Sequence, residues 1–310
     1  MNDELKAAGF QFIVHRSSFI VFMTKGSDKK FRVILLTHGG AELVLERLLA
    51  LEGVEVAGVY VETEITPRRG WREKLRRSVR YDGWAATAWK LAGQLSGRRA
   101  GADASAAAAA RDATRETCEA AGVPIHFVNN YHGDEAVALM RADGADLGVV
   151  YGTNIIKEAV FGLPRLGSIN LHQGLAPLYR GGPPVFWELY NGEREVGLTV
   201  HFVAAKVDTG EILLQETVPL AYDDAHGDDF EAFIEEYTAR LRARSAELVA
   251  RAVGMIAEGR YEARPQDTTQ GKRYRLPTKR EKDELRRRLR ARRREAAQSA
   301  GGRAADAEGR

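Results

Sequence analysis

Apolar and polar positions along the chain follow two periods, and the places where each period holds define the elements. FRVILLT (31–37) is an apolar run bounded by His38-Gly39-Gly40, short enough for a strand covered on both faces. AELVLERLLALEG repeats its apolar residues at helical spacing and stops at Gly53. VEVAGVYVE, PIHFV, DLGVVYG and SINLH are further strand-like runs, separated by helical stretches such as DEAVALMRADG. This alternation predicts an α/β fold: a Rossmann-like, mostly parallel sheet with helices on both faces. After Val196 the pattern changes to GLTVHFVAAKVDTGEILLQETVPL, two strand runs joined by a short segment, which predicts antiparallel edge strands. Residues 228–258 place Phe230, Phe233, Tyr237, Leu241, Leu248 and Val253 at helical spacing and predict a long C-terminal helix.

These elements divide the chain into an N-terminal arm or extension (1–30), one domain (31–264) and a tail (265–310). FQFIVHRSSFIVFM in the arm is too short and too interrupted for a membrane span, and Met23 reads as a natural start of translation. Within the domain, the connection at about 66–122 exceeds an ordinary crossover by one extra helix or a helical hairpin. Its tryptophans Trp71, Trp84 and Trp89 are expected to be packing anchors.

Charge changes the picture only at the tail. Residues 272–294 hold thirteen Lys or Arg against three Asp or Glu, so a formal charge of +3 for the chain leaves −7 outside this segment. The stretch predicts either a solvated charged helix or a contact with a polyanion, nucleic acid included. The closing AAQSAGGRAADAEGR has the composition of a disordered end. Cys118 is the single cysteine, which excludes an internal disulfide and a cysteine zinc cluster and suits a reducing, cytoplasmic setting. With 44% apolar residues, the 310-residue chain can bury one substantial core.

Two glycine-rich strand ends are candidates for chemistry. HGGAE after the first strand lacks both the GxGxxG spacing and the P-loop lysine, so Gly39 and Gly40 are turn residues first and substrate contacts second. GSINLHQGLAPLYRGG (167–182) is more informative. Asn170 and His172 stand at i and i+2 of a strand, hence on one face, at the carboxyl end where parallel sheets gather ligands.

The order of Asn170 and His172, the loop Leu175 to Gly181 (LAPLYRG), Thr199 and His201, and Asp208 with Gly210 resembles the folate-dependent formyltransferases. Members of that family formylate glycinamide ribonucleotide, the methionyl group of initiator tRNA or nucleotide-linked amino sugars, and a related branch hydrolyses the formyl-folate. The resemblance is firm over roughly 150–220 and departs at Gln173, Gly174 and Ala176, where the family carries a different loop. It implies 10-formyltetrahydrofolate as formyl donor, with no metal. It implies Asn170, His172 and Asp208 as catalytic residues. The pterin would lie against Val150, Tyr151, Gly152, Ile155 and Ile156 on one side and Lys206, Val207 and Gly210 on the other, with Tyr179, Arg180 and Gly181 facing the acceptor. Thr199 and His201 are expected to support the Asp208 loop.

The chemistry agrees with that implication. Formyl transfer to an amine builds negative charge on the formyl oxygen, which Asn170 and a protonated His172 can meet, while Asp208 sets the charge of His172 or relays protons. For the acceptor, HGGAE lacks the Ser and Asn of the glycinamide enzyme's phosphate loop, and the segment after the long helix is shorter than the tRNA enzyme's added barrel. A nucleotide-linked amino sugar or related small-molecule amine is therefore the leading expectation. The alternatives are a methionyl-tRNA formyltransferase-like enzyme, a formyl-folate hydrolase, and a non-enzymatic nucleic-acid-binding module. The basic helix at 68–80, with seven Lys or Arg and one Glu, is a candidate contact for a diphosphate.

Overall fold

The computed structural model describes residues 10–14, 20–24, 29–63, 71–84, 87–88, 100–222 and 229–308. In chain order the elements begin with β1 (Phe10–Val14), β2 (Ile20–Thr24), β3 (Phe31–Thr37), α1 (Glu42–Leu49) and β4 (Val54–Glu62). Next come α2 (Trp71–Asp82), α3 (Ala100–Ala121), β5 (Ile125–Val128), α4 (Asp134–Ala142), β6 (Leu147–Tyr151) and α5 (Glu158–Phe161). Then follow β7 (Ser168–His172), β8 (Tyr179–Arg180), α6 (Phe186–Asn191), β9 (Glu195–Phe202), β10 (Ile212–Pro219), α7 (Phe230–Ala257), β11 (Lys272–Arg273) and α8 (Lys279–Glu308).

Seven strands form one sheet in the order β10-β9-β7-β6-β3-β4-β5. The strands from β5 to β7 pair in parallel, while β9 and β10 close the other end antiparallel, as the change of pattern after Val196 predicts. Alternation along β3 explains why its run is apolar throughout. Val33 and Leu35 enter the layer that contains α1 and α7, and Ile34 and Leu36 enter the layer that contains α4 and α5. Each such side chain contributes about 1.5–3 kcal/mol of burial. The chain leaves β3 toward β4 and β5, then returns to β6 and β7 on the other side, so the topological switch lies between β3 and β6. Among the described residues no helix is long and apolar enough to cross a membrane.

The connection after β4 holds two described helices. In α3, Thr114 and Cys118 are buried, and the Thr114 hydroxyl donates to Glu42 Oε1 on α1 at 3.0 Å. Burial pushes the Cys118 thiol up to about 11, which keeps it protonated and inert. Trp84 is not a packing anchor: Gly83, at φ +85°, turns the chain at the end of α2 and leaves Trp84 73% exposed. The side chains of Trp71 and Trp89, most of the 1–30 arm outside the antiparallel β1–β2 pair, and residues 89–99 lie outside the described residues.

The tail is tied to the body. Leu285 and Leu289 of α8 are buried one turn apart. Arg286 pairs with Glu231 at 2.5 Å and lies over the Phe230 ring, while Arg288 donates to the Tyr190 carbonyl at 3.0 Å. Where composition pointed to disorder at 296–310, the backbone is helical as far as Glu308. Ahead of α8, β11 pairs in parallel with β8, aligning Lys272 with Tyr179 and Arg273 with Arg180.

Candidate active site

β7 carries Asn170 and His172 to its carboxyl end, and its antiparallel neighbour β9 sets His201 opposite Asn170 and Thr199 opposite His172. The connection from β9 to β10 then folds back so that Asp208 reaches both histidines. Two backbone features enforce that fold. Asp208 is left-handed, at φ +52°, which for a residue with a Cβ costs about 1 kcal/mol or more. Its carboxylate is held there by the Gly181 amide, which donates to Oδ2 at 2.8 Å. Gly210 admits no side chain, because a Cβ would fall on the Phe202 carbonyl oxygen.

Hydrogen bonding fixes the tautomers. His172 Nε2 is 2.6 Å from the Tyr179 carbonyl and His201 Nδ1 is 2.7 Å from the Phe202 carbonyl; a carbonyl only accepts, so both nitrogens carry protons. The remaining ring nitrogens both face Asp208: His172 Nδ1 at 3.5 Å from Oδ2 and His201 Nε2 at 3.5 Å from Oδ1. Asn170 Nδ2 lies 3.3 Å from His201 Nε2. Burial pulls the His172 imidazole below its ordinary value, against the opposing pull of Asp208 and the Tyr179 carbonyl. For Asp208, burial alone would raise the carboxyl; the His201 hydrogen bond, the charges of His172 and His201 and the Gly181 amide outweigh it and hold it at about 2.

These groups sit at one wall of a cleft of about 230 Å³ lined also by Val150, Ile155, Ile156, Val203, Val207, Gly181 and Gly182. Of the residues anticipated from sequence, Asn170, His172, Asp208, Val150, Ile155, Ile156, Val207 and Gly181 therefore meet here. Others are placed elsewhere. Tyr151 follows Val150 by one residue on β6 and so points to the opposite face, into the layer with α1 and α7. Gly152, at φ +65°, is the turn out of β6. The Lys206 side chain is exposed, while its carbonyl accepts from Thr209 Oγ1 at 2.9 Å.

Arg180 and Tyr179 are also corrections. The buried Arg180 guanidinium donates to the carbonyls of Pro177, Thr268 and Gly271, so it binds loop to tail. The Tyr179 ring stacks on Tyr274, and its hydroxyl donates to Glu193 Oε1 at 2.7 Å. Gly39 and Gly40 lie outside the cleft, against α3.

His172 lines the cleft, with Nε2 at the Tyr179 carbonyl and Nδ1 3.5 Å from Asp208 Oδ2. One placement differs from the sequence reading. His201, read as support alone, lines the cleft. The signal for it was its alternation with Thr199 on β9, which puts both on the face shared with Asn170 and His172. Thr199 holds a different loop: its hydroxyl donates to the Gly174 carbonyl at 2.8 Å and accepts from the Ala176 amide at 3.2 Å. Gly174 itself is required, since a Cβ there would collide with His172 Nε2.

Residues 98–242 match a family described as formyl transferase. The methionyl-tRNA formyltransferase of Parabacteroides distasonis is 33% identical over 148 residues, 48% of this chain and 43% of that protein. That of Herpetosiphon aurantiacus is 36% identical over 154 residues, 49% of this chain and 47% of that protein. The match thus spans less than half the length of these relatives. Among solved structures, phosphoribosylglycinamide formyltransferase from Anaplasma phagocytophilum superposes with a TM-score of 0.50 at 19% identity, covering 74% of this chain and 89% of that one, a likeness of fold.

Proposed function

We propose that this chain, whose residues 98–242 match the formyl transferase family, is an N-formyltransferase that moves a formyl group from 10-formyltetrahydrofolate to a primary amine on a phosphate-bearing small molecule, with a nucleotide-linked amino sugar as the leading acceptor. The observation that carries this reading is the Asp208 carboxylate flanked by ring nitrogens of His172 and His201, with the Asn170 amide beside them, at the wall of an aliphatic cleft.

The donor fits the cleft by chemistry. Val150, Ile155, Ile156, Val203 and Val207 offer apolar walls to a flat heterocycle, and the 203–207 backbone offers hydrogen-bonding groups at its edge. When bound, the folate supplies the formyl carbon; the chain's residues manage charge and protons. The amine's new bond to that carbon forms as the bond to the folate nitrogen breaks. The amine loses one proton and the folate nitrogen gains one. Asn170 Nδ2 has two hydrogens, of which one faces His201, and the other is free to donate to the formyl oxygen as charge develops. Asp208, ionised at neutral pH, stabilises the positive charge that develops on the attacking amine, and the proton the amine loses passes to the folate nitrogen as that bond breaks.

The test is absorbance-monitored release of tetrahydrofolate from 10-formyltetrahydrofolate, with and without pooled amine acceptors, in wild type and Asp208→Ala. Acceptor-dependent release lost in the variant is the expected result. Acceptor-independent release would make the protein a hydrolase, and no release from wild type would overturn the reading.

A methionyl-tRNA acceptor is the second reading. The curated relatives named above carry that description, and two basic helices support it: Lys279, at the start of α8, packs on Gly83 at the end of α2. Binding of aminoacylated initiator tRNA with a steep salt dependence would favour it over the small amine.

A further inference from the structure

The fold offers two places for the anionic end of an acceptor, and only one is open. At the switch between β3 and β6, where a phosphate would ordinarily meet strand-end amides, α3 occupies the crevice. The Gly40 amide is spent on the Ala110 carbonyl and the Thr114 hydroxyl, each at 3.1 Å, and a Cβ on Gly39 would come within 2.9 Å of the backbone of Ala110 and Arg111.

The open place lies on the far side of Gly181 from Asp208. A second cavity, about 700 Å³, opens between α6 and the β11 segment of the tail, and Gly181 lines it as well as the cleft. The wall between them is one residue thick: the Gly181 amide donates to Asp208 Oδ2 at 2.8 Å, and the position of a Cβ on Gly181 is 3.1 Å from Arg273 Cγ. Three cations border this cavity. Arg275 is neutralised by a two-pronged pair with Glu281 at 2.8 and 2.9 Å. Lys272 and Arg273 are exposed, and among the described residues neither has a carboxylate partner; Lys272 only rests over the Tyr274 ring. Their backbone is held by pairing with Tyr179 and Arg180, so the two charges are carried on a fixed strand.

Resting on the formyl-transfer reading, we propose that this cavity is the acceptor's anion subsite. Lys272 and Arg273 take a phosphate or diphosphate ester, and the acceptor bends across Gly181 to present its amine at Asp208 and His201. The subsite is built by the tail, so the basic segment belongs to acceptor recognition. It also sets the class of acceptor: an amine separated from a phosphate by little more than one residue's thickness, as in a sugar phosphate or sugar diphosphate.

The test is calorimetric titration of the full chain with inorganic pyrophosphate and, separately, with UDP, in wild type, in Lys272→Ala/Arg273→Ala, and in Arg280→Ala, an exposed cation outside the cavity. Binding by wild type, weakened roughly tenfold or more in the double variant and unchanged in Arg280→Ala, is expected from the loss of charge-assisted contacts. Affinity for 5-formyltetrahydrofolate should stay at the wild-type value in all three. Equal pyrophosphate binding in wild type and double variant, or none in wild type, overturns the proposal. If binding depends on Lys272 and Arg273 but no amine is formylated, the functional reading fails and the subsite stands. Formyl transfer with an unchanged KM for a phosphorylated amine in the double variant rejects the subsite alone.

Discussion

Two glycine pairs each end a strand, one in the seven-stranded sheet and one in the β8–β11 pair, and their surroundings have opposite consequences. Gly39 and Gly40 follow β3 in left-handed conformation, at φ +111° and +73°, with α3 laid directly on them. Gly181 and Gly182 follow β8, between the cleft at Asp208 and the cavity under the tail. A glycine turn at the end of a strand is thus not by itself a ligand site. What decides is whether the next layer of structure spends its amides, as Ala110 and Thr114 do at Gly40, or aims them at a functional group, as Gly181 does at Asp208.

The comparison breaks most sharply at the functional end. Asp208→Ala removes the carboxylate that stabilises charge on the attacking amine, and formyl transfer should fall by about 10²–10⁴-fold, with 5-formyltetrahydrofolate binding retained. Asn170→Ala should cost about 10²–10³-fold in kcat by removing the amide donor. A variant of either residue that turns over like wild type would move the chemistry away from the Gly181 end altogether.

At the sealed end the same kind of substitution should act on stability. Gly39→Ala forces a Cβ to within 2.9 Å of the α3 backbone at a φ of +111°, at a cost of about 2–3 kcal/mol in unfolding free energy. The protein that remains folded should keep its wild-type KM for acceptor. A raised acceptor KM without loss of stability would restore Gly39 to substrate contact and dissolve the contrast.

Much of this contrast was legible in the sequence, and the illegible part has a physical reason. Period-2 and helical spacing determine the parallel sheet, the antiparallel edge and the long helix α7 because each element must bury one particular face. Asn170 and His172 could be placed on one face because strand alternation is a local property, whereas Asp208 was named through the resemblance to the formyltransferases. Tyr151 and Arg180 were misplaced because their directions depend on partners far away. Tyr151 faces α1 and α7, and Arg180 meets the carbonyls of Thr268 and Gly271, close to ninety residues on. The packing of a strongly basic tail was hidden for the same reason: Leu285 and Leu289 are two apolar residues in a run of arginines, and only the surface they cover reveals that they form a seam.

Arg180 offers a sharper version of the argument. If its guanidinium is a tie between loop and tail, Arg180→Met should lower stability by about 1–3 kcal/mol, since the carbonyls of Pro177, Thr268 and Gly271 lose a charged donor. Lys should restore little, because a single ammonium cannot reproduce a planar donor fork. Unchanged unfolding in urea together with weaker acceptor binding would place Arg180 in the cleft instead.

The smallest effect concerns His172 and follows from its burial. Its folded-state value lies below the 6.5 of an unfolded histidine, so at pH below 6.5 the unfolded chain binds a proton that the folded chain refuses. Stability contributed by the neutral imidazole is therefore full above pH 6.5 and is lost as the pH falls. The slope approaches about 1.4 kcal/mol per pH unit until the folded state also protonates. Asp208, held at about 2, contributes its own loss only below an unfolded carboxyl's value near 3.8, so the two windows separate. Urea unfolding of wild type and His172→Gln between pH 5 and pH 7 reads the first window as the difference between the two proteins, since Glu188, raised to about 7 by burial, and His132, lowered by burial, act in that window in both. Wild type should lose stability more steeply than the variant as the pH falls, because glutamine offers its amide hydrogen to the Tyr179 carbonyl without titrating. An equal slope in both proteins would mean that His172 is as easily protonated folded as unfolded.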